Sequence, residues 1–369
     1  MFTSVLSLSD LHSQTAFHEM EQCSQRISQP QKMEFVASKC RGEIRGILLA
    51  LLDSPHFRAK LDGYFGTIKL LPKAAHELVI YSSFLRFLNF DPNDSYFLSV
   101  LMNKDYLASL PRIAPDSDVY EVITRGGEIA FKSSVFGEYY LREHVPDDIL
   151  LNLLTDLAHQ ADQKRFTQTV YSELLRRMLR FSVIRALVHP RDGQRLIIDF
   201  FEKNAGLGIA RYDPLYWVQY SIARMEDGRF DLCENYISQA YGIASTRQHY
   251  DTYQIDTHHA RFLLQSRIAN YKPDFFDAFV KAHKYIVGVL TRREEDLLYP
   301  LQVSQLYLDY FHRFKGELTE REVRHVMDAA DFILKKIQKY PSSLLERNSV
   351  GQITTAKLKE MKTAALSYL

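Results

Sequence analysis

Apolar residues recur at helical spacing along most of this 369-residue chain. Ile44, Ile47, Leu48 and Leu51 share one face and predict a helix over 42–52. Asp53-Ser54-Pro55 stops it and opens the next helix. Ser54 can cap, and proline at a first helical position gives up no hydrogen bond. That helix carries Phe57, Leu61 and Phe65 at spacing four, and another covers 74–88 before the turn Asp91-Pro92-Asn93-Asp94.

The pattern changes over 95–145. Residues 119–124 read as a short strand, and Gly126-Gly127 as a hairpin turn, because glycine accepts positive φ. Ile129 and Phe131 alternate on a second strand, and Ser133 or Ser134 caps a helix over 135–143. Strand, tight turn, strand and helix predict a winged-helix-like segment with a short β-hairpin.

From Asp147 the pattern is helical almost to the end. Leu150, Leu153, Leu154 and Leu157 form one stripe, and Tyr171, Leu174, Leu175 and Met178 another. A third helix starts at 192–201 and ends near Gly206-Leu207-Gly208. A helical hairpin follows over 217–246. Asp213-Pro214 is a cap followed by proline at the first helical position, Gly228 turns the chain, and Asp231 is placed to cap the return helix. Phe230 closes over the turn, and Cys233, Ile237 and Ala240 line the inner face. The order aromatic, turn, small, bulky, small is that of a tetratricopeptide hairpin. Ser221 stands where that pattern has glycine, and the terminal proline is missing. Two degenerate hairpins follow, one from 253–268 and 275–290, the other from 301–314 and 320–340. Val323, Val326, Met327, Ala330, Ile333, Leu334 and Ile337 make a long apolar stripe in the last of these, and 356–369 can cap the stack.

The predicted fold is therefore mainly all-α, with helical hairpins stacked as a tetratricopeptide-like solenoid. A polar N-terminal segment (1–40) precedes a helical, winged-helix-like region (41–146) and a helical repeat domain (147–369). The helices over 148–206 are expected to supply its first units.

Composition narrows the classes. Apolar residues at 46% and charged residues at 25% exclude wholesale disorder. A formal net charge of +1 gives no global pull toward nucleic acid or anionic lipid. Cys23, Cys40 and Cys233 are odd in number and widely spaced, which predicts reduced thiols in a cytoplasmic protein. Neither a signal peptide nor a membrane-spanning run is expected.

Chemistry is sparse. No Gly-x4-Gly-Lys-Ser/Thr loop occurs, and Gly206-Leu207-Gly208-Ile209-Ala210 lacks its lysine. Adjacent side chains on a helix diverge by roughly 100°, so His258-His259 is a poor metal pair and reads as surface or interhelical. His312 and His325 lack clustered partners. Arg292-Arg293-Glu294-Glu295-Asp296 reads as a solvated turn, and Cys40 before Arg41 lacks an evident base. No metal, cofactor or enzymatic activity is expected. Arg176, Arg177, Arg180, Arg185, Arg191 and Arg195 form the densest basic stretch. It reads as a solvated face paired with carboxylates, or alternatively as a contact for an acidic ligand or nucleic acid.

Two segments are specific enough to suggest kin: Tyr212-Asp213-Pro214-Leu215-Tyr216-Trp217-Val218-Gln219-Tyr220-Ser221-Ile222-Ala223-Arg224, and Asp251-Thr252-Tyr253-Gln254-Ile255-Asp256-Thr257-His258-His259-Ala260-Arg261. The order resembles the C-terminal helical region of large bacterial antiphage proteins of the STAND NTPase type. Residues 41–52 resemble a helical lid segment and 127–136 the winged-helix step after it. The likeness spans about 40–369 and is specific over 212–264. The effector and P-loop core are missing from this sequence, which fits a truncated member, a fragment or a stand-alone relative.

The resemblance implies a non-enzymatic sensor or interaction module of antiphage defence. Its expected partner is a phage component or a defence effector bound through the helical repeats, with 41–146 coupling to that partner. Arg176, Arg177 and Arg180 from the basic stretch, and Tyr253, His258 and Arg261 from the second quoted segment, are the candidate binding residues. The competing readings are a winged-helix nucleic-acid-binding regulator and a divergent enzyme with a site built from scattered residues. The pattern is compatible with an oligomer.

Overall fold

A computed structural model describes residues 47, 55–90, 95–106, 124–125, 128–129, 134–189, 193–293, 297–340 and 350–369. The 1–40 segment with Cys23 and Cys40, nearly all of the helix expected over 42–52, the 91–94 turn, Arg191 and the acidic run 294–296 lie outside them.

The described chain is all-α apart from one ladder. Thr124–Arg125 (β1) pairs antiparallel with Glu128–Ile129 (β2), Thr124 facing Ile129. The rest of the expected hairpin, 119–123, the Gly126-Gly127 turn and 130–133, lies outside the described residues. The expected winged-helix-like segment therefore has no support in the described fold. Among the described residues, no helix is long and apolar enough to cross a membrane.

Two compact units result, Met1–Leu207 and Gly208–Leu369. This division falls later than the 146/147 boundary read from the sequence. The reason is packing: the helices after Asp147 bury their stripes against helices that precede it.

In the first unit, α1 (Pro55–Ile68) is followed by α2 (Lys73–Phe87), α3 (Ser95–Met102) and α4 (Ser134–Glu143). Then come α5 (Asp147–Lys164), α6 (Thr169–Met178), α7 (Phe181–Leu187) and α8 (Gly193–Asn204). The α2 helix packs on α4, and α5 packs on α2, α3, α6 and α8. Gly137 permits the α2–α4 approach, since a Cβ there would meet the Ser83 carbonyl at 3.3 Å. Leu150, Leu154, Leu157, Tyr171, Leu174, Leu175 and Met178 are buried, as their spacing predicts, while Leu153 of the first stripe is half-buried. Glu77, buried on α2, accepts from Lys104 Nζ at 2.7 Å.

The second unit is a set of paired helices. A short α9 (Gly208–Tyr212) leads into α10 (Pro214–Glu226) and α11 (Phe230–Ser245). The next pair is α12 (Tyr253–Ala269) and α13 (Phe275–Arg292). Then follow α14 (Leu298–Ser304), α15 (Leu306–Phe314), α16 (Glu320–Lys339) and α17 (Val350–Leu366). The α10 helix pairs with α11 and α12 with α13, and α12 also packs on α10 and α11.

The turn chemistry is largely as read. Asp213 accepts from the Leu215 amide at 3.0 Å and Pro214 opens α10. Gly228 turns at φ +73°, a conformation that suits glycine. Cys233, Ile237 and Ala240 are buried. Thr319 and Glu322 form a reciprocal capping box at α16. Two details differ. Asp231 does not cap α11: the helix starts at Phe230 with Arg229 as its N-cap, so Asp231 lies inside the first turn, where it pairs with Arg229 Nε and Nη2 at 3.0 and 2.9 Å. The helix expected over 301–314 is interrupted at Gln305, giving α14 and α15.

Candidate functional site

The α10–α12 contact is built on a buried polar relay. Ser221, on α10, is buried, and its hydroxyl faces both α11 and α12. His258 Nε2 is 2.9 Å from Ser221 Oγ, and Ser221 Oγ donates to the Cys233 carbonyl at 3.4 Å. Cys233 Sγ returns a bond to the Ser221 carbonyl at 3.5 Å. The tautomer protonated at Nε2 completes the relay, with His258 donating to Ser221 and Ser221 to the backbone. Burial, then the Arg261 and His259 charges, push the His258 imidazole down to about 3. Burial also pushes the Cys233 thiol up to about 11. A neutral imidazole and a protonated thiol hold helices together; neither is poised as a nucleophile.

A second polar seam joins the start of α12 to the end of α13. Asp256 is buried and accepts from Tyr241 Oη at 2.8 Å, Thr252 Oγ1 at 3.0 Å and Arg292 Nη2 at 2.8 Å. Burial and the Asp256 carboxylate raise the Tyr241 phenol above its ordinary range. Asp251 accepts from Arg293 Nε at 2.8 Å and from the Tyr253 amide at 3.1 Å. The Arg293 guanidinium sits 4.1 Å above the Tyr253 ring, within cation–π range. Tyr253 Oη accepts from Gln254 Nε2 at 2.7 Å. His259 lies among the rings of Tyr285, Tyr241 and Phe262, at 4.9, 5.8 and 6.3 Å. Burial, then the Lys281 charge, lower it to about 4.

Near these seams a half-buried aromatic group reaches the surface. Trp217 donates Nε1–H to the Ala210 carbonyl at 2.7 Å and stacks on Tyr236 at 5.6 Å. Tyr236 stacks on buried Tyr220 at 4.4 Å. Arg261 bridges to Glu226 of α10 at 2.9 Å and to Gln265 at 3.1 Å.

The first unit carries a separate basic surface around α7. One cleft of about 480 Å³ is lined by Phe87, Leu88, Arg177, Arg180, Ser182, Val183 and Ala186. A second of about 480 Å³ shares Ser182 and Ala186 and adds Arg142, Phe181, Arg185 and His189. Arg177 pairs with Glu173 and donates to the Asn89 carbonyl. Arg176 is exposed on the same helix but does not line either cleft.

The six candidate residues thus fall into two groups, one in each unit. Tyr253 is available at the surface, and Arg261 is mostly committed to its α10 bridge. His258 is corrected: fully buried, it has no face to offer a partner. Its spacing from Ile255 and Phe262 already puts it on the apolar stripe of α12, which is the signal for burial. The pair His258-His259 is interhelical, as one of the two sequence readings has it. Arg292 and Arg293, read as part of a solvated turn, instead tie α13 to α12. Among the described residues, no group of three His, Cys, Asp or Glu side chains could hold a metal ion. Comparison with protein-family models, with curated proteins and with solved structures gives no match.

Proposed function

We propose that this chain is a non-enzymatic interaction module of a bacterial antiphage defence system. In this reading its helical hairpins stack as a tetratricopeptide-like repeat that binds a phage protein or a defence effector. The observation that carries the interaction role is the half-exposed set Trp217, Tyr236, Tyr253 and Arg293 on well-tied helices. Tyr, Trp and Arg are the residues that most often anchor protein interfaces. Because Arg293 and Tyr253 are already held against each other, little side-chain freedom is lost on binding. The defence role rests on the sequence resemblance over 212–264. Residues 41–146 then couple the repeat to its effector.

The test is capture of partners by the tagged full chain from bacteria with and without phage infection, read by mass spectrometry. One phage protein or effector chain at near-stoichiometric level, lost on replacing Tyr253 and Arg293 by Ala, is the expected result. Recovery of nucleic acid alone, or capture indifferent to that double substitution, contradicts the proposal.

A further inference from the structure

The basic clefts around α7 are unused by the reading above and have their own chemistry. Together they are lined by Arg142, Arg177, Arg180 and Arg185, with His189 beside them. No carboxylate lines either cleft among the described residues. That is a marked local imbalance in a chain of net charge +1. The neighbouring acids neutralise it only in part. Glu173 is paired with Arg177, Asp147 is occupied by His189 at 3.0 Å, and Glu143 stands 3.9 Å from Arg142. Arg185 donates to the Val188 carbonyl at 3.2 Å, a neutral acceptor that leaves its charge uncompensated. Arg180 is exposed, and its guanidinium has no hydrogen-bond or ion-pair partner among the described residues.

The clefts share Ser182 and Ala186, two small exposed residues of α7, so the ridge between them is low. A linear polyanion can cross it and meet arginines on both sides. Guanidinium planes also stack on flat rings, and Phe87 borders the first cleft half-buried. Paired positive charge with planar groups matches a phosphodiester strand with unstacked bases better than it matches a string of carboxylates. We infer that the double cleft around α7 binds the backbone of single-stranded nucleic acid. It is distinct from the protein-binding surface proposed for the second unit.

The test is fluorescence anisotropy of the full chain with a labelled oligothymidylate of about 20 nucleotides, long enough to exceed ordinary single-strand site sizes. If four arginines each neutralise one phosphate, the salt slope is about −3, so affinity falls roughly 50-fold between about 50 and 200 mM salt. Arg180→Glu is expected to weaken binding by about tenfold or more at the lower salt. Arg324→Glu makes the same charge change at an exposed site of the second unit and should leave binding within about twofold. Should Arg180→Glu lose the native circular dichroism spectrum, Arg180→Gln is read in its place. Absence of saturable binding at the lower salt overturns the inference. So does equal loss in the Arg180 and Arg324 variants. Displacement by duplex DNA or polyglutamate at an equal or lower concentration overturns it too.

Discussion

His258 Nε2 lies 2.9 Å from Ser221 Oγ, fully buried where α12 packs on α10. The bond links the middle of one hairpin to the middle of the next. His258→Ala removes it and opens a cavity, so a loss of about 2–4 kcal/mol is expected. Trp217 is the single tryptophan of the chain, so its fluorescence reports unfolding of this unit in urea. Ser221→Ala should cost less, because a smaller volume is lost. A double-mutant cycle of the pair should give a coupling of about 1 kcal/mol. Additivity of the two would remove the relay from the account.

Acid should weaken the same unit. Burial holds His258 at about 3, His259 at about 4 and His283 at about 4. Each is depressed below the ordinary value near 6.5, so the unfolded chain takes up the proton first. The contribution is therefore fully present above about pH 6.5 and falls as pH drops toward 4. Stability to urea should be flat from about pH 7 to 8 and fall by roughly 1–2 kcal/mol per buried histidine by about pH 5. His258→Gln should flatten part of that slope. An unchanged slope would mean that His258 is not the group being titrated.

Most helices were legible in the sequence because strong local signals mark their ends. Asp213-Pro214, Gly228 and Thr319-x-x-Glu322 each fix a boundary through a backbone requirement. The α3 helix carries no such signal, because Ser95–Met102 is mostly apolar and shows no clear polar face. The break at Gln305 carries no glycine or proline, and only tertiary packing reveals it. The candidate site was less legible. Tyr253 and Arg261 reach the surface, but the ties from Arg292 and Arg293 depend on the return of α13 alongside α12, which no local pattern states.

The Asp256 seam predicts an asymmetry. Asp256 is buried and Arg292 is about half exposed, with side-chain exposures of 8% and 54%. Asp256→Ala removes the shared acceptor of Tyr241 Oη, Thr252 Oγ1 and Arg292 Nη2, and should lower stability by about 3 kcal/mol. Arg292→Ala leaves Asp256 two hydroxyl donors and one solvent-facing side, and should cost about 1 kcal/mol. Equal losses in urea midpoints would contradict the burial argument.

Gly228 isolates a backbone effect. A Cβ there would meet nothing within 4 Å, yet its φ is +73°. Gly228→Ala should therefore cost about 1–2 kcal/mol through strain alone. Gly228→Asn should cost less, because asparagine visits this region more readily. If both substitutions are neutral, the α10–α11 turn relaxes and does not set the hairpin.

The central claim is that a partner protein docks on the Tyr253–Arg293 surface. The most direct measurement is quantitative capture from phage-infected bacteria, comparing the full chain with its Tyr253→Ala, Arg293→Ala double variant at matched urea stability. The account predicts one protein at near-stoichiometric recovery and a loss of about tenfold or more in the variant, the scale of an interface anchor. Equal recovery by both chains, or enrichment of nucleic acid without any protein, would contradict it.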